Sequence, residues 1–253
     1  MPPVKLEVFP VTGVPRVDAP CALAPLVLEA LRKNELCPKT GDVLVVAHKL
    51  ISKAEGRVVT LSKVEPSPQA LSLAQHTGKA PELIEVILSE SKRIVRQAKG
   101  VIICENRLGV ICANAGVDRS NAGADQVVLL PKRPDRSARL LKDAIEAAHH
   151  TTIAVLVADT HGRPWREGAV GLCIGLAGVS PFTNYRGRSD LYDYEMQTKV
   201  ECVVDELCAA ATLVMGQGQE GIPLVLIRGA GVSLDPEACF QTLLRPADKD
   251  LFQ

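Results

Sequence analysis

The chain has 253 residues, 47% hydrophobic and 3% aromatic, enough to bury a large core as one domain or two closely joined parts. Its 29 Lys and Arg balance 29 Asp and Glu, so no global field draws it to nucleic acid or an anionic membrane, and so few aromatics argue against a stacking platform for single-stranded bases. The eight cysteines form no Cys-x-x-Cys pair, the first residues lack a signal-peptide core, and the longest apolar runs (Thr151 to Ala158, Val170 to Val179) are too short to span a bilayer, so a cytoplasmic protein with reduced thiols is expected.

In chain order, Val4 to Phe9 alternates like a strand and is expected to end at Pro10. Ala22 to Lys33 has helical spacing, and Val43 to Val46 reads as a buried strand entered through the Gly41-Asp42 turn. Ser67-Pro68 opens a helix to His76, and Pro81 opens another through Glu90. Short strands follow near Ile94 to Gln97, Val101 to Cys104 and Val110 to Ala113, with Asn106 and Gly109 turning between the last two. Arg136 to His149 predicts an amphipathic helix with Leu140, Leu141, Ile145 and Ala148 inward, and Glu195 to Met215 predicts another. Leu224 to Ile227 closes with a strand, and Asp235 to Gln253 suggests a short helix and a frayed end. Strands in the middle with helices around them predict an α+β fold without regular βαβ alternation.

Four segments carry chemistry. Thr151 to Ala158 empties into Asp159-Thr160-His161-Gly162-Arg163-Pro164-Trp165-Arg166-Glu167-Gly168, read as a polar loop on a rigid base. A carboxylate and a hydroxyl suit a hard divalent cation and arginines suit phosphate, although Asp159 and Thr160 would equally close a turn. Asp118 and Asn121, three apart after the strand ending at Ala113, could aim two oxygens at one cation or simply form an Asx turn. Gly216-Gln217-Gly218-Gln219-Glu220-Gly221 matches G-x-G-x-x-G in letters only: a helix precedes it and a strand follows Pro223, the reverse of a dinucleotide fingerprint. Ile222-Pro223 also rules out a Walker loop, which leaves a phosphate nest or a plain helix cap. Finally, Lys53 beside Gly56 could meet a phosphate or stay solvated next to Glu55.

Together these segments resemble the family of coenzyme F-420-0:γ-glutamyl ligases, GTP-dependent enzymes that add glutamate to a deazaflavin coenzyme. The likeness runs from Val8-Phe9-Pro10 through Gly41 to Val46, Ile51 to Arg57 and Asn114 to Asp118. It continues through Asp159-Thr160, Gly162-Arg163, Arg166, Tyr185 to Arg188, Asp190 to Tyr192, Asp205-Glu206 and Met215-Gly216 to Gly221-Ile222-Pro223. His48-Lys49 departs from it, standing where small hydroxyl residues are expected, and Gln219 stands where an acidic residue or glycine occurs.

The resemblance implies an unusual mixed α+β fold, an intertwined homodimer, and one ligase-like unit over residues 1–253 without a C-terminal flavin-reductase domain. Asp118, Asp159, Thr160 and Gln219 would hold divalent cations, Mg²⁺ or Mn²⁺, with K⁺ as a further cofactor. GTP would contact Val14, Pro15, Arg16, Val17, His48, Lys49, Lys53, Asn121 and the loop Gly216, Gln217, Gly218, Gln219, Glu220, Gly221, Ile222, Pro223. Arg163 and Arg166 would act in catalysis, holding phosphate or carboxylate groups bidentately. The partners implied are GTP, L-glutamate and F-420-0, with neither nucleic acid nor membrane. The same GTP and metal apparatus could serve another carboxylate acceptor, a non-catalytic GTP-binding protein, or a metal-dependent phosphohydrolase.

Overall fold

Four successive fully buried residues, Val43, Leu44, Val45 and Val46, require a strand covered on both faces, because alternate side chains point to opposite sides. The computed structural model, which describes residues 5–251, supplies both covers. The chain begins with β1 (Glu7–Val11), α1 (Leu23–Lys33), β2 (Val43–Ala47), α2 (His48–Ala54) and β3 (Val58–Thr60). Next come α3 (Pro68–Thr77), α4 (Pro81–Ser89), β4 (Ser91–Ala98), β5 (Val101–Asn106), β6 (Ile111–Ala113), β7 (Gln126–Val128) and α5 (Pro134–His149). The last third holds β8 (Ala154–Arg163), β9 (Arg166–Ala177), β10 (Phe182–Asn184), β11 (Val200–Cys202), α6 (Val203–Met215) and β12 (Leu224–Arg228).

The central five-stranded sheet has the order β1-β12-β2-β8-β9. Only β2 and β8 run parallel; the other pairs are antiparallel. Leu44, Val46, Val155, Val157, Leu224 and Leu226 face one core with residues of α1, α2 and α5. Val43, Val45, Ala154, Leu156, Val225 and Ile227 face the other, closed by Val204, Leu207, Cys208 and Ala211 of α6. A third cluster joins α3 and α4 to β5 and β7 through Ile84, Ile87, Ile102 and Val127. The fold is α+β, as expected. Entry into β2 is fixed by Asp42, 1% exposed, which accepts from the Lys39 amide and from Arg228 Nη2 at 2.7 Å.

The structure corrects several expectations. Strand β1 continues through Pro10 to Val11, because β1 is an edge strand and a missing N–H there costs no ladder bond; Val4 lies outside the described residues. Segment 159–168 is no loop: β8 and β9 carry their pairing through Arg163↔Arg166, leaving a tight hairpin turn at Pro164-Trp165. The last helix starts at Val203, not Glu195, since Val200–Cys202 pairs with Phe182–Asn184 and long-range pairing overrides the local period. On α5, Leu140 is 60% exposed and Ala148 is also exposed, while Ala138, Leu141 and Ile145 form the buried stripe. The tail holds two short 3₁₀ turns, Phe240–Leu243 and Ala247–Lys249. All eight cysteines are free, four of them buried. Among the described residues no helix is long and apolar enough to cross a membrane.

Helix α5 crosses β9 at Gly175, where an added Cβ would lie 2.4 Å from Pro134 Cβ and 2.8 Å from its carbonyl carbon. The contact is with a backbone that cannot swing aside, so Gly175→Ala is expected to destabilise by roughly 1–3 kcal/mol as an overpacking change. Thermal unfolding of the variant should show a melting temperature lower by several degrees; an unchanged value would refute this account of the crossing.

Candidate functional site

Because β2 and β8 are parallel and in register from Val43↔Ala154 to Ala47↔Ala158, both strands end side by side. The next residues, His48-Lys49 and Asp159-Thr160, are thereby delivered to one place. Strand β12 is antiparallel to β2, so the loop that precedes it, Gly216 to Pro223, arrives at the same end, and Pro223 O accepts the Ala47 amide at 2.9 Å. A cavity of about 360 Å³ opens there. Its wall includes Val14, Pro15, Arg16 and Val17; His48, Lys49 and Lys53; Asn121; Asp159 and Thr160; and Gly216, Gln217, Gly218, Glu220, Gly221, Ile222 and Pro223.

The carboxylate of Asp159 is the centre of the polar wall. Its side chain is 11% exposed, with Oδ2 accepting from His161 Nε2 at 2.8 Å and Oδ1 lying 3.3 Å from His48 Nε2 and accepting the Thr160 amide at 2.7 Å. Burial alone would raise its pKa, but His48 and His161 outweigh that and hold it far below the usual carboxylate range. The two imidazoles thus favour the ionised carboxylate. Next to it, the Thr160 hydroxyl donates to Gln217 Oε1 at 3.4 Å.

Cationic side chains line the cavity as well. The Lys53 ammonium forms no ion pair or hydrogen bond among the described residues, and burial, reinforced by Arg16, lowers its pKa. Lys49 lies 2.7 Å from Asp118 Oδ2, and Ser120 donates its amide to Asp118 Oδ1 and its hydroxyl to Oδ2. Burial works against ionisation of Asp118, but Lys49 and Ser120 keep its pKa below the usual value. Gly216 caps α6 with φ 67° and ψ −175°, and a Cβ there would strike the Glu220 carboxyl, so this turn requires glycine. Glu220 in turn accepts the Gly218 amide at 2.7 Å. A cavity lined by both an unpaired ammonium and oxygen ligands is suited to a polyphosphate carrying a hard cation.

Among the described residues no three His, Cys, Asp or Glu side chains converge as a metal cluster. Asp159, Thr160 and Gln217 nevertheless fit one divalent cation, since they group a carboxylate with two neutral oxygens, the donor chemistry that Mg²⁺ and Mn²⁺ accept. Gln219 does not line the cavity; Gln217, two residues earlier, is the glutamine brought to Thr160. Asp118 stands behind Lys49 and off the cavity wall. Arg163 and Arg166 also lie off it, paired across the hairpin, with Arg163 donating to the Gly168 and Glu167 carbonyls. Sequence reasoning missed Ala47, Leu50, Ala158, Thr212 and Met215 on the wall, and the role of His161 against Asp159. His161 was findable: two residues beyond Asp159 on a continued strand, it returns to the same face.

The family model described as F420-0:Gamma-glutamyl ligase matches residues 13–229. The chain is 42% identical to the coenzyme F420:L-glutamate ligase of Methanothermobacter thermautotrophicus over 98% of this chain and 99% of that protein. Likewise it is 41% identical to the ligase of the same name from Methanopyrus kandleri over 100% and 99% of the two chains, and 37% identical to that of Archaeoglobus fulgidus over 99% and 97%.

Since Lys53 holds no protein partner, Lys53→Met should leave the melting temperature nearly unchanged. The same change should weaken binding of inorganic tripolyphosphate, titrated calorimetrically, by roughly 10- to 100-fold, the worth of one charge-assisted contact. Equal affinity in both proteins would remove Lys53 from the anion site.

Proposed function

The chain belongs to the F420-0:Gamma-glutamyl ligase family, and from that premise we propose that it joins L-glutamate through amide (γ-glutamyl) bonds to the deazaflavin coenzyme F420-0, using GTP. The observation that carries the GTP reading is the cavity itself, which the unpaired Lys53 ammonium lines together with the Asp159 carboxylate and the Thr160–Gln217 pair. A carboxylate does not react with an amine until its oxygen becomes a leaving group. GTP transfers its γ-phosphoryl group to the acceptor carboxylate, the resulting acyl phosphate is attacked by the glutamate amine, and phosphate leaves as the amide forms.

The residues present perform this by position and charge, without a side-chain nucleophile. Lys53 and Arg16 attract the triphosphate, the Gly216–Pro223 loop walls its site, and Val14 and Val17 give the base an apolar rest. Asp159, Thr160 and Gln217 would hold a divalent cation, Mg²⁺ or Mn²⁺, which when bound neutralises phosphate oxygens. K⁺ is proposed as a further activator. A homodimer is proposed as well: Trp165 at the β8–β9 tip is 80% exposed, and Leu191, Tyr192 and Tyr194 between β10 and β11 are 98%, 91% and 62% exposed. Such apolar area on projecting arms suits burial against a second copy.

Mass spectrometry of coenzyme F420-0 incubated with the protein, GTP, Mn²⁺ and L-glutamate tests the activity. A mass gain of glutamyl units only when GTP and metal are present is expected; GTP loss without glutamate would favour a phosphohydrolase, and tight GTP binding without product another acceptor. Asp159→Asn should lower turnover at least about a hundredfold, the scale of losing one preorganised electrostatic group, while the chain still folds. Full activity in the folded variant would remove Asp159 from the chemistry. Sedimentation should give twice the 27.1 kDa of the chain, and a monomer would reject the dimer.

A further inference from the structure

A second cavity, of about 470 Å³, is lined from the α2–β3 link, the β5–β6 turn and the segment before α5, and shares no wall residue with the first. Part of its wall is apolar: Leu108 and the buried Ala115, Leu130 and Pro131. The rest is polar, and its charges are unequally matched. Arg57 Nη2 donates to Glu90 Oε2 at 2.6 Å and its Nε to the Leu130 carbonyl at 3.0 Å, so this cation is neutralised within the protein. Arg107 meets no carboxylate among the described residues. Its Nε and Nη2 donate to the Ser89 carbonyl at 2.8 and 2.6 Å, and its Nη1 makes no hydrogen bond there. The Lys132 ammonium makes neither a hydrogen bond nor an ion pair among the described residues.

The turn that carries Arg107 is fixed before any ligand arrives. Asn106, 2% exposed, accepts the Leu108 and Val110 amides on Oδ1 at 2.9 and 3.0 Å, and the Arg107 amide donates to the Glu90 carbonyl at 3.1 Å. Backbone and guanidinium are both held, so little ordering entropy is left to lose when an oxyanion takes the free Nη1. Arg107 and Lys132 leave two uncompensated positive charges beside an apolar wall. A phosphate dianion matches two such charges, and its oxygens accept charge-assisted bonds from donors on different elements. The volume is in the range that holds a whole small molecule, and the leucines and proline offer an apolar body a place. We propose that this second cavity binds a small phosphomonoester with a compact apolar or aromatic body, its phosphate held by Arg107 and Lys132. The site is separate from the nucleotide cavity and does not depend on the reading of that cavity.

Calorimetric titration of the full chain with phenyl phosphate and with inorganic phosphate tests this, at about pH 8 where both probes carry close to two charges. Wild type should bind phenyl phosphate roughly tenfold more tightly than inorganic phosphate, the worth of a partly buried ring. Lys132→Met should weaken both by roughly 10- to 100-fold, the worth of one charge-assisted contact, and Lys132→Arg should restore them. Since the Lys132 ammonium has no partner among the described residues, both variants should melt as wild type does. The binding lost in Lys132→Met should persist in Lys53→Met, which alters the nucleotide cavity alone. No saturable binding to wild type, unchanged affinity in Lys132→Met, or loss of the binding in Lys53→Met would each overturn the site. Equal affinity for the two probes would overturn the phosphomonoester class.

Discussion

The parallel register of β2 against β8 is the constraint on which the site depends. Every other neighbour pair in the central sheet is antiparallel, and an antiparallel partner would end at the far side of the molecule from where β2 ends. Parallel pairing over five residues makes Ala47 and Ala158 level, so the two polar segments that follow are adjacent without any long loop to search for one another. Ligand crevices at the carboxyl ends of parallel strands have the same origin in open α/β sheets. Here a single parallel pair suffices, because β12 returns antiparallel and brings its preceding loop to that end. The rigidity comes from below: both strands are fully buried over most of this length, packed on α1, α2 and α5 from one face and α6 from the other.

On this platform the dominant electrostatic problem is a buried charge. An ionised carboxylate nearly out of water is costly unless several donors meet it. Asp159 meets two imidazoles and a backbone amide, all from β8 or the start of α2. Those donors come from strand-end geometry and stay fixed in place, so the anion is preorganised before any ligand arrives. The cationic side is built differently, with Arg16, Lys49 and Lys53 drawn from a loop and from α2, and only Lys53 left unpaired. The cavity wall thus joins a satisfied network around Asp159 to the unspent charge of Lys53.

Features governed by local chemistry were legible in the sequence. The Ser67-Pro68 start of α3 is read from a cap whose hydroxyl accepts the Ala70 amide, and Gly216 from a backbone geometry that side chains disfavour. Asp159 and Thr160 were also legible, because a buried strand runs into them, and the glycine loop, because it separates helix α6 from strand β12. Features set by distant partners were hidden. Helix α2 follows β2 with no turn residue between Ala47 and His48, so no punctuation marks it. Three residues suffice for β3, β7, β10 and β11, too few for any period to show. The substitution of Gln217 for Gln219 beside Thr160 has the same cause: a flexible-looking loop fixes which side chain turns inward only when Glu220 closes on Gly218.

The misreading of 159–168 as a loop has the widest consequence. As a loop it would have folded its arginines onto the cavity; as a hairpin it carries them outward. Strand β2 pairs with β8 only as far as Ala158, so beyond that point β9 is the one strand hydrogen-bonded to β8 among the described residues. An open strand edge with that much free backbone invites pairing or burial unless charges blunt it. Arg163, Arg166 and Glu167 do blunt it near the tip, yet Trp165 stands exposed between them. The arm starts at Asp159 itself, so its outer surface and the cavity share one piece of backbone. Packing against the arm would thus bear directly on the strand that carries the buried carboxylate.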